Sequence, residues 1–130
     1  MRHEDDIIRC LASRPEIRLA IAFGSIAAGR ETPDSDLDLA VAATRPLSVD
    51  DKADLVGALA QATGRPIDLV DLATATGALL SRILSTGRLV IRRDSALYAE
   101  LIKRAVYDEA DFAPYRQRIL EAQRRRWIAA

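Results

Sequence analysis

The chain contains a single cysteine, Cys10, among 130 residues, so it can form no internal disulfide. It has no excess of charge of either sign, because 19 lysines and arginines balance 19 aspartates and glutamates. A dedicated nucleic-acid binder carries a basic footprint, and this balance argues against direct nucleic-acid binding. No apolar run approaches the roughly 20 residues that span a bilayer. The opening MRHEDDIIRC has no apolar core of the secretory-signal kind. The expectation from these absences is a cytoplasmic protein with no membrane association. What the chain does have is 49% hydrophobic residues, enough for one buried core.

Apolar spacing divides the chain into short elements. Ile7, Ile8 and Leu11, with acids in the first turn, predict a helix over 4–11 that ends before Pro15. Residues 18–23 and 37–42 predict strands, separated by the turn-rich ETPDSD. Ser48 is placed to cap a helix running to about Thr63, with Gly64 as its stop. A strand over 67–70 follows Pro66, then a helix over 78–84 stopped by Gly87, then a short strand over 89–91. Asp94 is placed to cap a helix bearing Leu97, Leu101, Ile102 and Ala105. Pro114 fits the first turn of a last helix that includes Ile119 and Trp127. The fold expected is mixed α/β: a small core sheet with flanking helices over 1–92 and a two-helix C-terminal extension over 93–130, in a single domain overall.

The informative constellation is Gly24-Ser25, then ten residues, then Asp36-Leu37-Asp38. Aspartates two apart on a strand point to one side, about 6–7 Å from each other by the strand rise. Leu37, Leu39 and Val41 take the opposite face. Carboxylates so placed repel, and a cation with all-oxygen ligands such as magnesium relieves the repulsion. Gly24-Ser25, at the end of a strand and followed by small residues, suits a turn whose N–H groups and hydroxyl face a polyphosphate. Gly24 allows a phosphate to approach the backbone. Gly29 permits the exit turn, and Arg30 is placed to meet phosphate charge. Carboxylates beside a phosphate cradle describe metal-assisted phosphoryl or nucleotidyl transfer. In the strand over 67–70, Ile67 and Leu69 set the core-facing parity. Asp68 then projects with Asp36 and Asp38 if the two strands are neighbours. Asp71 shares the parity of Leu69, so it should lie at the strand's end or point away, and it is the fallback for the third carboxylate.

Phe23-Gly24-Ser25-Ile26-Ala27-Ala28-Gly29-Arg30 followed by Ser35-Asp36-Leu37-Asp38-Leu39 resembles the signature of the polymerase-beta-like nucleotidyltransferases. Within them the chain is most similar to the minimal nucleotidyltransferases, the MNT or MntA-like antitoxins. Ile83 to Val90 resembles their post-core stretch, and Phe112 to Arg126 resembles their C-terminal helix. The resemblance implies a polymerase-beta-like core and transfer of AMP from ATP. The acceptor it implies is a protein hydroxyl, a tyrosine of a cognate HEPN ribonuclease toxin with which the chain would form a hetero-oligomer. It also implies two divalent ions, Mg2+ or Mn2+. Asp36 and Asp38 would hold both ions, Asp68 would hold one and assist deprotonation of the acceptor, and Gly24 and Ser25 would bind the triphosphate. Two alternatives stand beside this: an antitoxin that neutralises mainly by binding, and transfer onto a small molecule such as an aminoglycoside.

The remaining polar residues have plainer readings. His3 is read as inert, Cys10 as a small packed side chain, and Asp50, Asp51 and Asp54 as a solvated helix start. Tyr98, Tyr107 and Tyr115 are read as packing or interface residues. The arginine-rich end, QRRRW, is read as partner docking or plain solvation ahead of RNA binding.

Overall fold

Between Leu19 and Phe23 side chains of both parities are buried, which requires cover on both faces of the strand. The structure, a computed structural model, supplies that cover and describes residues 2–24, 35–108 and 119–124. The elements come in the order α1 (Arg2–Leu11), β1 (Ile17–Phe23), β2 (Leu37–Ala43), α2 (Val49–Thr63), β3 (Ile67–Asp71), α3 (Gly77–Thr86), β4 (Arg88–Arg92) and α4 (Ser95–Asp108). Residues 119–124 are also helical. The expected Pro114 helix start, Trp127 and the arginine-rich end lie outside the described residues, as do Ser25 and Arg30.

The four strands form one sheet in the order β3-β2-β1-β4. β1 runs antiparallel to both β2 and β4, while β2 and β3 are parallel. A parallel pair needs a crossover, and α2 provides it. α1 and α2 cover one face, where Ile7, Leu11, Leu55 and Leu59 pack on Ala20, Leu37, Leu39, Val41 and Leu69. α3 and α4 cover the other, where Leu80, Ile83, Leu84, Tyr98, Leu101 and Ile102 pack on Leu19, Ile21, Phe23, Ala40 and Ala42. Ile119 and Ala122 are buried as well. Ile17 and Leu19 have the same parity yet lie in different cores. A register shift between them against β2 accounts for this, since one extra residue reverses the facing of every residue after it.

Local chemistry sets the boundaries. Ser48 is extended and its hydroxyl accepts from Asp51 N at 3.0 Å, and Gly64, at φ 72°, closes α2. Asp94 caps α4 by accepting from Leu97 N at 3.0 Å. The Arg93 guanidinium donates to the carbonyls of Leu11, Arg14 and Ile17 at 2.7–2.8 Å, satisfying acceptors where α1 hands over to β1. Among the described residues no helix is long and apolar enough to cross a membrane.

Asp71 ends β3 on the α2 side of the sheet, as its parity requires. Its carboxylate accepts from Leu47 N and from Ala73 N, each at 2.9 Å, and so ties the entrance of α2 to the exit of β3. These bonds leave the fallback ligand committed to the backbone. Replacing Asp71 with alanine is expected to lower stability by about 1–3 kcal/mol, the cost of leaving partly buried N–H groups without an acceptor. Urea unfolding checks this, and an unchanged midpoint would show that the two bonds contribute nothing.

Candidate functional site

The chemistry-bearing residues collect at one end of the sheet, on the face covered by α3. Leu37 and Leu39 are buried toward α1 and α2, so the alternating Asp38 points the other way, alongside Ala40 and Ala42. The same alternation on β3 buries Leu69 and turns Asp68 outward. The parallel register sets Asp38 directly beside Asp68. The sequence alternation alone left that pairing conditional on β3 lying next to β2, and the strand order meets the condition. Asp36 precedes β2 and is exposed.

The electrostatics of the site centre on Asp38. Asp38 is partly buried, and its carboxyl is held above the ordinary carboxylate range. Burial is the largest cause, followed by the charge of Asp68 and by a hydrogen bond to the Asp68 carboxylate, which favours a proton held between them. The Asp36 charge pushes the same way, and the Arg82 guanidinium opposes it. Asp38 and Asp68 therefore meet, while Asp36 acts at through-space range. Among the described residues no three acidic, histidine or cysteine side chains close into a metal cage. Two adjacent carboxyl groups with a third at longer range still suit magnesium, which completes its shell with water and phosphate oxygens.

Gly24 gives this end of the sheet its shape. It follows β1 at φ 72°, in the left-handed region that favours glycine. A Cβ there would overlap Oδ2 of Asp38 and lie 3.1 Å from its Cγ. The backbone of Gly24 is thus packed against the carboxylate, and any side chain would displace it. Ser25 and Arg30, expected to face phosphate, lie outside the described residues.

Arg82 was not singled out in the sequence. It is an exposed position on α3, and its guanidinium carbon stands 6.0 Å from the centroid of the Phe23 ring. Phe23 is the register partner of Asp38. Helical periodicity marks such a residue only as solvent-facing. Its proximity to the acids depends on how α3 docks on the sheet. A separate cleft of about 230 Å³ opens at the other end of β1 and β2, lined by Arg14, Glu16, Thr44, Arg45 and Asp54 among others. It contains none of these residues, and its Arg14 and Asp54 are joined by an ion pair at 3.2 Å.

The raised Asp38 carboxyl has a consequence for stability. Its pKa is higher folded than unfolded, so between the two values the folded state binds more protons. This contribution favours folding at acid pH and is lost as pH rises through the folded value. At neutral pH and without divalent ions, Asp38→Asn should therefore melt higher than the wild type. The gap should narrow as pH falls toward the ordinary carboxylate range. Thermal melts in a chelator test this, and a variant that melts lower at every pH would contradict it.

The model of the polymerase beta nucleotidyltransferase family matches residues 5–96. The protein adenylyltransferase MntA of Shewanella oneidensis is 32% identical over 100 residues, which is 75% of this chain and 72% of the relative. A crystal structure of a toxin-antitoxin with AMP-PNP contains a chain that superposes with a TM-score of 0.70 at 28% identity, covering 97% of this chain and 95% of that one. The tri-AMPylated HEPN toxin of Shewanella oneidensis in complex with its MNT antitoxin gives a TM-score of 0.64 at 26% identity, covering 98% and 94%. With its family signature and its mixed sheet both matched, the chain belongs to the polymerase beta nucleotidyltransferases and, within them, to the minimal, MntA-like branch.

Proposed function

We propose that this nucleotidyltransferase moves AMP from ATP onto a hydroxyl of a partner protein, and that the partner is a HEPN-type toxin that the modification silences. The acceptor we assign is a tyrosine, and the setting is the cytoplasm. The observation that carries the reading is the side-by-side placement of Asp38 and Asp68 on parallel strands with Gly24 packed against the first. Support for the donor and the partner comes from the relatives, one solved with an ATP analogue and one with an AMPylated HEPN toxin.

Asp36, Asp38 and Asp68 would hold two magnesium ions, and manganese fits the same all-oxygen set. Such ions, when bound, offset the charge of the triphosphate and acidify the acceptor hydroxyl. The rest falls to the chain's own groups. Gly24 brings bare backbone up to Asp38, where the phosphate would approach, and Ser25 offers its N–H and hydroxyl to the phosphate oxygens. Arg30 adds a cation to the same loop. Asp68, on the outer side of the pair, accepts the acceptor's proton. The acceptor oxygen bonds to the α-phosphorus as the bond from that phosphorus to the β-bridging oxygen breaks, and pyrophosphate leaves. Burial and its acidic neighbours hold the Asp38 carboxyl above the ordinary carboxylate range, and cations bound beside it would draw it back down.

Incubation of the purified protein with ATP, magnesium and the cognate HEPN protein should add the mass of AMP to that protein. Asp38→Ala and Asp68→Asn are expected to abolish the gain, while Asp71→Asn, although less stable, should retain it at temperatures below its melting transition. Equal loss in Asp68→Asn and Asp71→Asn would contradict the assignment of Asp68. Full neutralisation of the toxin by Asp36→Ala and Asp38→Ala variants, with no mass gain, would favour silencing by binding alone.

A further inference from the structure

The transfer scheme leaves Arg82 without a task. We propose that Arg82 is a phosphate-binding residue of this site, its guanidinium engaging the polyphosphate of the donor nucleotide on the β1 side of Asp38. The assignment rests on the transferase reading above and adds a residue to it.

Placement comes first. Phe23, the last residue of β1, pairs across the ladder with Asp38 and turns its ring to the α3 face. Arg82 lies over that ring. Along this end of the sheet the order is therefore Arg82 with Phe23, then Asp38, then Asp68. β1 leads straight into Gly24-Ser25, so the arginine stands on the phosphate side of the acids and away from Asp68, where the acceptor is deprotonated.

The helix that carries Arg82 is firmly held. Leu80, Ser81, Ile83 and Leu84 on either side of it are buried. Gly87, just after α3, sits so close to β1 that a Cβ would overlap the Ile21 side chain and lie 3.2 Å from the Ala22 carbonyl. A firmly docked helix presents its exposed arginine in a defined place, which lowers the ordering cost of binding.

The charge at Arg82 is also available. Other arginines serve the fold: Arg104 donates to the Leu72 and Ala75 carbonyls at 2.7 and 2.9 Å, and Arg65 donates to the Ser35 carbonyl at 3.2 Å. Arg88 faces Glu4 at 3.7 Å. Among the described residues no carboxylate lies within ion-pair distance of Arg82, although its charge reaches Asp38 through space. A guanidinium over an aromatic ring keeps its in-plane N–H groups free, and that fork matches two phosphate oxygens.

Calorimetric titration with inorganic tripolyphosphate in magnesium buffer tests the assignment without acceptor or turnover. Arg82→Gln is expected to weaken uptake by about tenfold or more, the scale of a lost charge-assisted contact. Arg82→Lys should fall between Arg82→Gln and the wild type. A melting temperature close to wild type in Arg82→Gln, with magnesium uptake alone equal or tighter, would separate phosphate binding from a structural role. If Arg82→Gln binds tripolyphosphate as tightly as the wild type does, the assignment is overturned while the transferase reading stands. If the wild type takes up no tripolyphosphate, both fall together.

Discussion

Two carboxylates forced together across neighbouring parallel strands are the feature around which this molecule is arranged. Asp38 and Asp68 share a register position, and the partial burial of Asp38 denies it the solvation that would make the pairing harmless. The fold has to supply the free energy that keeps them there. It does so with leucines: Leu37, Leu39 and Leu69 are buried on the far face, against Leu55 and Leu59 of α2. A buried leucine is worth about 1.5–3 kcal/mol, so a few of them outweigh the strain of one acidic pair. The alternation that buries the leucines is the same alternation that turns the acids outward together.

Small and unsubstituted residues make the rest of the site possible. Gly24 brings bare backbone against Asp38, and Ala40 and Ala42 keep the inner face of β2 low beneath α3 and α4. Gly87 lets α3 settle on β1. The outcome is an acidic edge at β2 and β3, a basic residue on α3 over Phe23, and the Gly24 backbone packed against Asp38. A nucleoside triphosphate carried with magnesium has the complementary pattern: cations toward the acids and phosphate oxygens toward the arginine.

Much of this was legible from residue order, and the reasons are local. Ser48, Gly64 and Asp94 announce helix ends because capping is a short-range interaction, and the structure places each of them at such an end. The facing of Asp38 and Asp68 comes from period-two alternation next to leucines. That alternation also sent Asp71 to the opposite side, where it caps backbone N–H groups. What could not be read depends on distant pairing. Alternation did not say that β3 would lie beside β2. The register shift near Arg18, which sends Ile17 and Leu19 into different cores, leaves no mark in a run where every second residue is apolar. Arg82 escaped notice for the same reason: on its helix it is one exposed arginine, and only the docking of α3 over Phe23 brings it to the acids.

The most direct measurement is a carboxyl-carbon NMR titration of Asp38 with and without magnesium. Repulsion that awaits a cation predicts a midpoint above the usual aspartate range in the metal-free protein. That midpoint should fall when magnesium is added, and fall also in Asp68→Asn. An ordinary midpoint that responds neither to magnesium nor to the loss of Asp68 would contradict the account.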